Sequence, residues 1–238
     1  MLAQIRNKEL GIVELLSLGW NVFIKNLNAI LIIIFLIDLP VEILEAAAIT
    51  LSNQVIKVTI IFLFFWLRII PLCLSGMAVI FIAERYIYGE KIRYDKALAK
   101  SFSRLNLGLF FLLRSGNIVS FFLLLLIIPG IIYWIKLYFV FHVCILRENA
   151  SQSALRYSAS LVKGRWFRSF FTIVSLIFII FIPAFVIPIF LLSLLPLSPE
   201  SPFTNFVYIV VSQMIFMLAF YLFTVVNTVF FLNLDYRK

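Results

Sequence analysis

The chain is 238 residues long, 64% hydrophobic and 13% charged, with a mean hydropathy of +1.12. Soluble domains are typically about 45 to 50% apolar, so this composition excludes a water-soluble globular domain and leaves a membrane protein. The formal charge of +9 does not call for nucleic acid, because the basic residues fall in short segments beside apolar runs, where they orient spans in a bilayer.

A transmembrane β-barrel needs strands that alternate apolar and polar residues. Phe121 to Ile128 and Thr172 to Phe181 do not alternate. The expected fold class is therefore all-α: a single polytopic membrane domain, six transmembrane helices with interfacial amphipathic helices. The opening 26 residues carry Glu9 and Glu14 and lack the pattern of a cleavable signal, so the first span is expected to stay attached.

Ile12 to Phe23 reads as an amphipathic helix with Val13, Leu16, Trp20 and Phe23 on one face, and Trp20 and Lys25 suit a membrane interface. Measured against the ~20 apolar residues that cross a bilayer, spans are predicted at approximately 27–48, 55–83, 105–127, 131–146, 170–195 and 206–231. Span one is interrupted by Asp38, Pro40, Glu42 and Glu45, and its acids share a face. Span two holds Arg68, with Pro71 close behind. A basic loop follows, in which Tyr94 to Phe110 is again amphipathic. Pro129 and Gly130 are predicted to form the hairpin turn between spans three and four. Asn149 and Gln152 form a capping-box pattern for a short helix that presents Leu155, Ala159 and Val162 and stops at Gly164. Span five is expected to bend at Pro183 and Pro188, and Ser198 to Thr204 reads as a turn.

Charge sets the orientation. With the N-terminus inside, the cytoplasmic segments collect Arg6, Lys8 and Lys25, then Arg85, Lys91, Arg93, Lys96, Lys100 and Arg104. Beyond these come Arg147, Arg156, Lys163, Arg165 and Arg168, and finally Arg237 and Lys238, while the outer loops hold only Lys57. That bias predicts N-in/C-in topology. One spacing also repeats, from Lys25 to Pro40, Arg114 to Pro129 and Arg168 to Pro183. It reads either as a duplicated helix-plus-span unit or as coincidence.

Pro129-Gly130-Ile131-Ile132-Tyr133, Arg147-Glu148-Asn149, Ala154-Leu155-Arg156-Tyr157-Ser158 and Leu161-Val162-Lys163-Gly164-Arg165-Trp166 together carry a resemblance. The pattern resembles the membrane-domain family of glycerophosphoryl diester phosphodiesterases and the related YciC-like bacterial integral membrane proteins. Glu14-Leu15-Leu16-Ser17-Leu18-Gly19-Trp20, followed by Lys25-Asn26, also fits. The resemblance implies a six-span domain in the bacterial cytoplasmic membrane. The family name records fusion of this domain to a phosphodiesterase in some members and does not confer that activity on it.

The inventory of reactive groups argues against catalysis. The soluble phosphodiesterase uses histidines and metal-holding carboxylates, whereas this chain has one histidine, His142, inside span four. No Walker-type loop, Cys/His metal spacing or Gly-x-Ser-x-Gly turn is present, so catalytic residues, metal and cofactor are all expected to be none. Cys73 and Cys144 read as buried thiols.

The unusual residues are ionisable groups within spans, which are costly enough to mark function. At about 1.5 Å per residue, Asp38, Arg114 and Lys136 fall roughly 13 to 17 Å from the inner surface. Arg68 lies deeper, within reach of Glu42 if span two tilts. An intramembrane polar cluster of Asp38, Glu42, Glu45, Arg68, Arg114 and Lys136 is thus expected, either as ion pairs fixing helix register or as a polar path or head-group site. In the pairing version Asp38 and Lys136 depend on each other. A second candidate is the basic surface of Arg156, Lys163, Arg165, Trp166 and Arg168, with Lys96, Lys100 and Arg104, which would attract anionic lipid head groups or serve only to orient the chain. The expected role is a non-catalytic envelope scaffold or accessory domain that contacts the lipid bilayer or another membrane protein. The alternative is a small transporter or channel-like protein using the embedded charges.

Overall fold

The computed structural model describes residues 1–51, 54–147, 154–194 and 201–237, and its regular structure is helical. The first half comprises α1 (Leu2–Asn7), α2 (Ile12–Lys25), α3 (Leu27–Ile33), a π-helical turn (Ile34–Asp38), α4 (Leu39–Leu51), α5 (Gln54–Leu67) and α6 (Ile69–Ile87). The second half comprises α7 (Tyr94–Ser103), α8 (Leu105–Leu125), α9 (Ile127–Leu137), α10 (Val140–Leu146), α11 (Ala154–Val162), α12 (Trp166–Leu194) and α13 (Pro202–Asp235). Six helical stretches are long and apolar enough to cross a membrane: Leu27–Thr50, Ile56–Ile87, Leu105–Leu125, Ile127–Leu146, Trp166–Leu191 and Pro202–Asp235.

Helix α13 organises the bundle. Its 34 residues make a rod of about 51 Å. From Thr224 to Leu234 every residue is buried, and α13 packs on α2, α4, α6 and α12. The buried core lies towards this end, where Met77 to Ala83 of α6 and Val143 to Leu146 of α10 are also enclosed. Away from it, apolar side chains such as Phe62, Leu63, Leu124, Ile128, Phe185 and Ile189 point outward. Several hydroxyls within the apolar helices are satisfied locally: Ser75 donates to Pro71 O, Thr224 to Phe220 O and Thr228 to Thr224 O. Such i−4 bonds give a hydroxyl proton an acceptor where water is absent, whereas Ser169 Oγ, buried in α12, has no partner among the described residues.

The proline-linked breaks differ from one another. Pro71 lies in the first turn of α6 and has no N–H to offer Leu67 O, and the long apolar rod is interrupted at Arg68. Pro40 similarly offers nothing to Leu36 O, and the helix ahead of it widens into the π turn, with Leu39 N–H reaching Ile34 O. Pro183 and Pro188 lie inside α12. Pro40, Pro129 and Pro183 therefore occupy three different local structures.

Four expectations are corrected. The turn between spans three and four is at Leu126, which is extended (φ −158°, ψ 134°), and Pro129 and Gly130 belong to the first turn of α9. A proline is tolerated there because first-turn amides have no intrahelical partner. Gly130 lets the two arms close: a Cβ at that position would fall 2.4 Å from Leu123 Cδ2 and 2.8 Å from Leu123 Cα. Second, α2 buries Leu15, Gly19, Val22 and Phe23, while Val13 and Trp20 are exposed. The face is set by Gly19, which allows α13 to approach so closely that a Cβ would meet Val226 Cγ2 at 2.5 Å; small residues at such crossings admit backbone contact. Third, Tyr94 to Phe110 is two helices that meet at Arg104. Fourth, α11 buries Ala154, Ser158, Leu161 and Val162, one residue out of phase with the expected face. Gly164 does end that segment, in the left-handed region at φ 77°. Glu148, Asn149, Gln152, Ser198 and Lys238, which carried parts of the capping, turn and charge arguments, lie outside the described residues.

Candidate functional site

Two groups of charged residues stand out, and they divide the expected intramembrane cluster between them. The first surrounds the π turn. The extra residue in that turn directs Asp38 inward, leaving it 3% exposed. The Tyr221 hydroxyl of α13 lies 2.5 Å from Asp38 Oδ2 and 2.6 Å from Ser75 Oγ, and Ser75 Oγ lies 3.1 Å from Asp38 Oδ1. One turn further on, Glu42 and Glu45 both receive the Arg68 Nη2 group from the α5–α6 break. Their side chains are 2% and 10% exposed, against 25% for Arg68. Glu42 Oε1 and Arg68 Nε have no hydrogen-bond partner among the described residues. One guanidinium thus serves two carboxyl groups. Such an arrangement holds the three residues in register, because an unpaired buried charge costs several kcal/mol.

Arg114 and Lys136 are not part of this group. Arg114 is exposed on α8, over the Phe110 ring at 5.8 Å. Asp38 has hydroxyls for partners, so the expected dependence on Lys136 is replaced by one on Tyr221 and Ser75. Lys136 instead joins the basic surface: α11 folds back on α9, where Ser158 Oγ donates to Lys136 O at 2.8 Å. This brings Lys136 level with Arg156 and Lys163 in the wall of a groove of about 1050 Å³. The rest of that wall is largely apolar, from Ile128, Ile131 and Ile132 of α9 to Trp166, Phe167, Phe170 and Phe171 of α12.

The other basic-surface residues have different duties. Arg165 and Arg168 pair with Glu9 (Nη1 to Oε1 3.5 Å and Nη1 to Oε2 2.7 Å), and Arg168 Nη2 also donates to Leu10 O at 2.9 Å. They pin the N-terminal segment to α12. Lys100 lies 4.4 Å over the Phe81 ring, and Arg104 Nη1 donates to Ile145 O. Lys96 is exposed on α7.

At the same end, Arg147 ties α6 to α13. Its Nη2 is 2.5 Å from Asp235 Oδ2 and its Nη1 3.2 Å from Glu84 Oε1. Burial opposes the Arg147 charge, yet the hydrogen bond and charge of Asp235 hold its pKa above the ordinary value. Tyr157 of α11 donates to Asp235 Oδ1; burial first, and the Asp235 carboxylate second, push its phenol up to about 12. Asn233 binds the start of the chain, donating to Ile5 O at 2.7 Å and Lys8 O at 2.8 Å and accepting from Leu10 N–H at 3.3 Å.

His142 is enclosed between Phe139 and Phe231, with centroids at 6.0 and 5.6 Å, beside a cavity of about 250 Å³. Neither ring nitrogen has a partner among the described residues. Cys73 and Cys144 are buried free thiols. Among the described residues no group of three or more His, Cys, Asp or Glu side chains is placed to hold a metal.

Sequence reasoning missed Ser75, Tyr221, Glu84 and Asp235 as partners. The available signal was polarity inside an apolar run for Ser75 and Tyr221. For Glu84 and Asp235 it was acidity at the basic end of a span.

No family model, curated protein or solved structure matches the chain.

Proposed function

We propose that the chain is a non-catalytic multi-pass membrane protein, a scaffold or accessory domain of the envelope that contacts lipids or a partner membrane protein. It lies N-in/C-in in a bacterial cytoplasmic membrane, with α2, α7 and α11 as amphipathic helices at the inner interface. Its kinship is with the phosphodiesterase membrane-domain and YciC-like proteins. The orientation rests on the concentration of Lys and Arg in the alternate connecting segments. Location and kinship rest on the resemblance around Pro129-Gly130 and Ala154 to Trp166.

The observation that favours a scaffold over a transporter is the closure of the polar interior. A transport path needs polar groups facing water, whereas Asp38, Glu42 and Glu45 are buried and each is held by a side chain from another helix. The transporter reading draws on the excess of acids over cations around Arg68 and on the unpartnered Glu42 Oε1. Labelling separates the two. Ser75→Cys, in a background with Cys73 and Cys144 changed to Ala, is reconstituted in liposomes and exposed to a small water-soluble maleimide. A closed scaffold leaves the thiol unlabelled until the protein is denatured; labelling of the folded protein from either side supports a path.

A further inference from the structure

Resting on the reading that the chain contacts lipid, we propose that the groove between α9 and α12 is a binding site for one molecule of an anionic phospholipid. Lys136, Arg156 and Lys163 receive its phosphate, and the apolar wall receives an acyl chain.

The groove has two chemically distinct parts. Lys136, Arg156 and Lys163 are brought together by the packing of α11 on α9. Among the described residues no carboxylate lines the groove, and none of these three cations forms an ion pair. Arg165 and Arg168, close by in sequence, are engaged by Glu9, so the cations that line the groove are selected from a larger basic set, with Lys136 Nζ 5.3 Å over the neighbouring Tyr133 ring. From Lys136 back to Ile128 the α9 wall extends about 12 Å at 1.5 Å per residue, with Ile128, Ile131 and Ile132 facing Phe167, Phe170 and Phe171 of α12. A free phosphate has no use for that wall, and a neutral lipid has no use for three cations. The occupant that satisfies both parts is an amphiphile with a negative head group. The groove volume of about 1050 Å³ lies at the upper end of the range, about 300 to 1,000 Å³, of pockets that enclose a whole small molecule. The cations lie at the basic end of the bundle, which places the head group at the surface where cytoplasmic anionic lipids are found.

The test uses the full chain in detergent containing equal amounts of phosphatidylglycerol and phosphatidylcholine, with retained lipid read by native mass spectrometry. The wild type is expected to keep a single phosphatidylglycerol in preference to phosphatidylcholine. Lys136→Gln, Arg156→Gln and Lys163→Gln combined should weaken that retention by about a hundredfold, from three cations acting near a membrane surface. Changing Lys91, Arg93 and Lys96 to Gln, elsewhere in the basic set, should leave it intact. Ile132→Trp keeps the cations and fills the apolar part, and should also abolish retention. Three results would overturn the site: no lipid preference in the wild type, displacement of the lipid by millimolar inorganic phosphate alone, or full retention by Ile132→Trp. Any of these, with Ser75→Cys still protected from maleimide, would refute the groove and leave the closed scaffold standing.

Discussion

Removing the Arg68 guanidinium strands two buried carboxyl groups, and the consequence can be worked from the geometry. Glu42 and Glu45 each have one oxygen on Arg68 Nη2. Deleting one partner of a buried ion pair costs about 3 to 5 kcal/mol, because the remaining charge stays desolvated. Arg68 is itself a quarter exposed, so the lower end of about 3 kcal/mol is appropriate. For a chain of this size 1 kcal/mol moves the midpoint by about 2 to 4 °C, so Arg68→Leu should melt roughly 6 to 12 °C lower. Cys73 and Cys144 are buried and free, which allows a thiol-reactive fluorophore to follow unfolding directly in detergent. The decisive comparison is the triple variant Arg68→Leu, Glu42→Gln, Glu45→Gln, which removes the charge altogether and should recover most of the loss. A single variant as stable as wild type, or a triple variant as unstable as the single one, would refute the claim that the pairing holds span one against span two.

Other outcomes follow from the same contacts. Around Asp38, the carboxyl oxygens receive the hydroxyls of Tyr221 (2.5 Å) and Ser75 (3.1 Å), and an amide at position 38 keeps an acceptor oxygen for them. Asp38→Asn should therefore cost under about 1 kcal/mol, and Asp38→Leu about 1 to 3 kcal/mol from stranded hydroxyls; equal damage from both in the same melting assay would show that a carboxylate is required. Gly130→Ala should destabilise by about 1 to 3 kcal/mol through overpacking on Leu123, and an unchanged midpoint would contradict the close approach of α8 and α9. Tyr157 ionises near 10 when unfolded and at about 12 when folded. Its contribution is fully present below pH 10 and is lost as pH rises from 10 to 12. Melting in that window should fall more for the wild type than for Tyr157→Phe, and parallel curves would sink the assignment.

The bundle was legible in the sequence because lipid-crossing helices are specified by length and apolarity, and the six predicted spans correspond to six apolar helical stretches. The hairpin shows the limit of that reading. Pro129 and Gly130 looked like a turn, yet proline is also at home in the first turn of a helix and glycine where two helices touch, and both roles are used here. Helix faces failed for a related reason. Apolarity does not distinguish a residue facing lipid from one facing α13, so Val13 and Trp20 were indistinguishable by hydrophobicity from Leu15 and Val22. The charged residues divided similarly. Arg68 and Glu42 lie on spans that pack as neighbours, and residue counting left their pairing as one of the open alternatives, conditional on a tilt of span two. Asp38 and Lys136 share a depth by residue counting, but lateral position decides contact. The π turn aims Asp38 at α13, while the fold-back of α11 draws Lys136 to the basic surface. Neither feature is written in hydrophobicity.

The placement of the groove depends on which side of the membrane each end occupies, and paired cysteine labelling measures that directly. With Cys73 and Cys144 changed to Ala, Lys163→Cys at the rim of the groove and Asn205→Cys in the first turn of α13, both exposed positions, are treated with a membrane-impermeant maleimide. Asn205→Cys should react in intact cells and Lys163→Cys only in inverted vesicles. Reaction of both from the same side would remove the crossing made by α12, and with it the cytoplasmic setting of Lys136, Arg156 and Lys163.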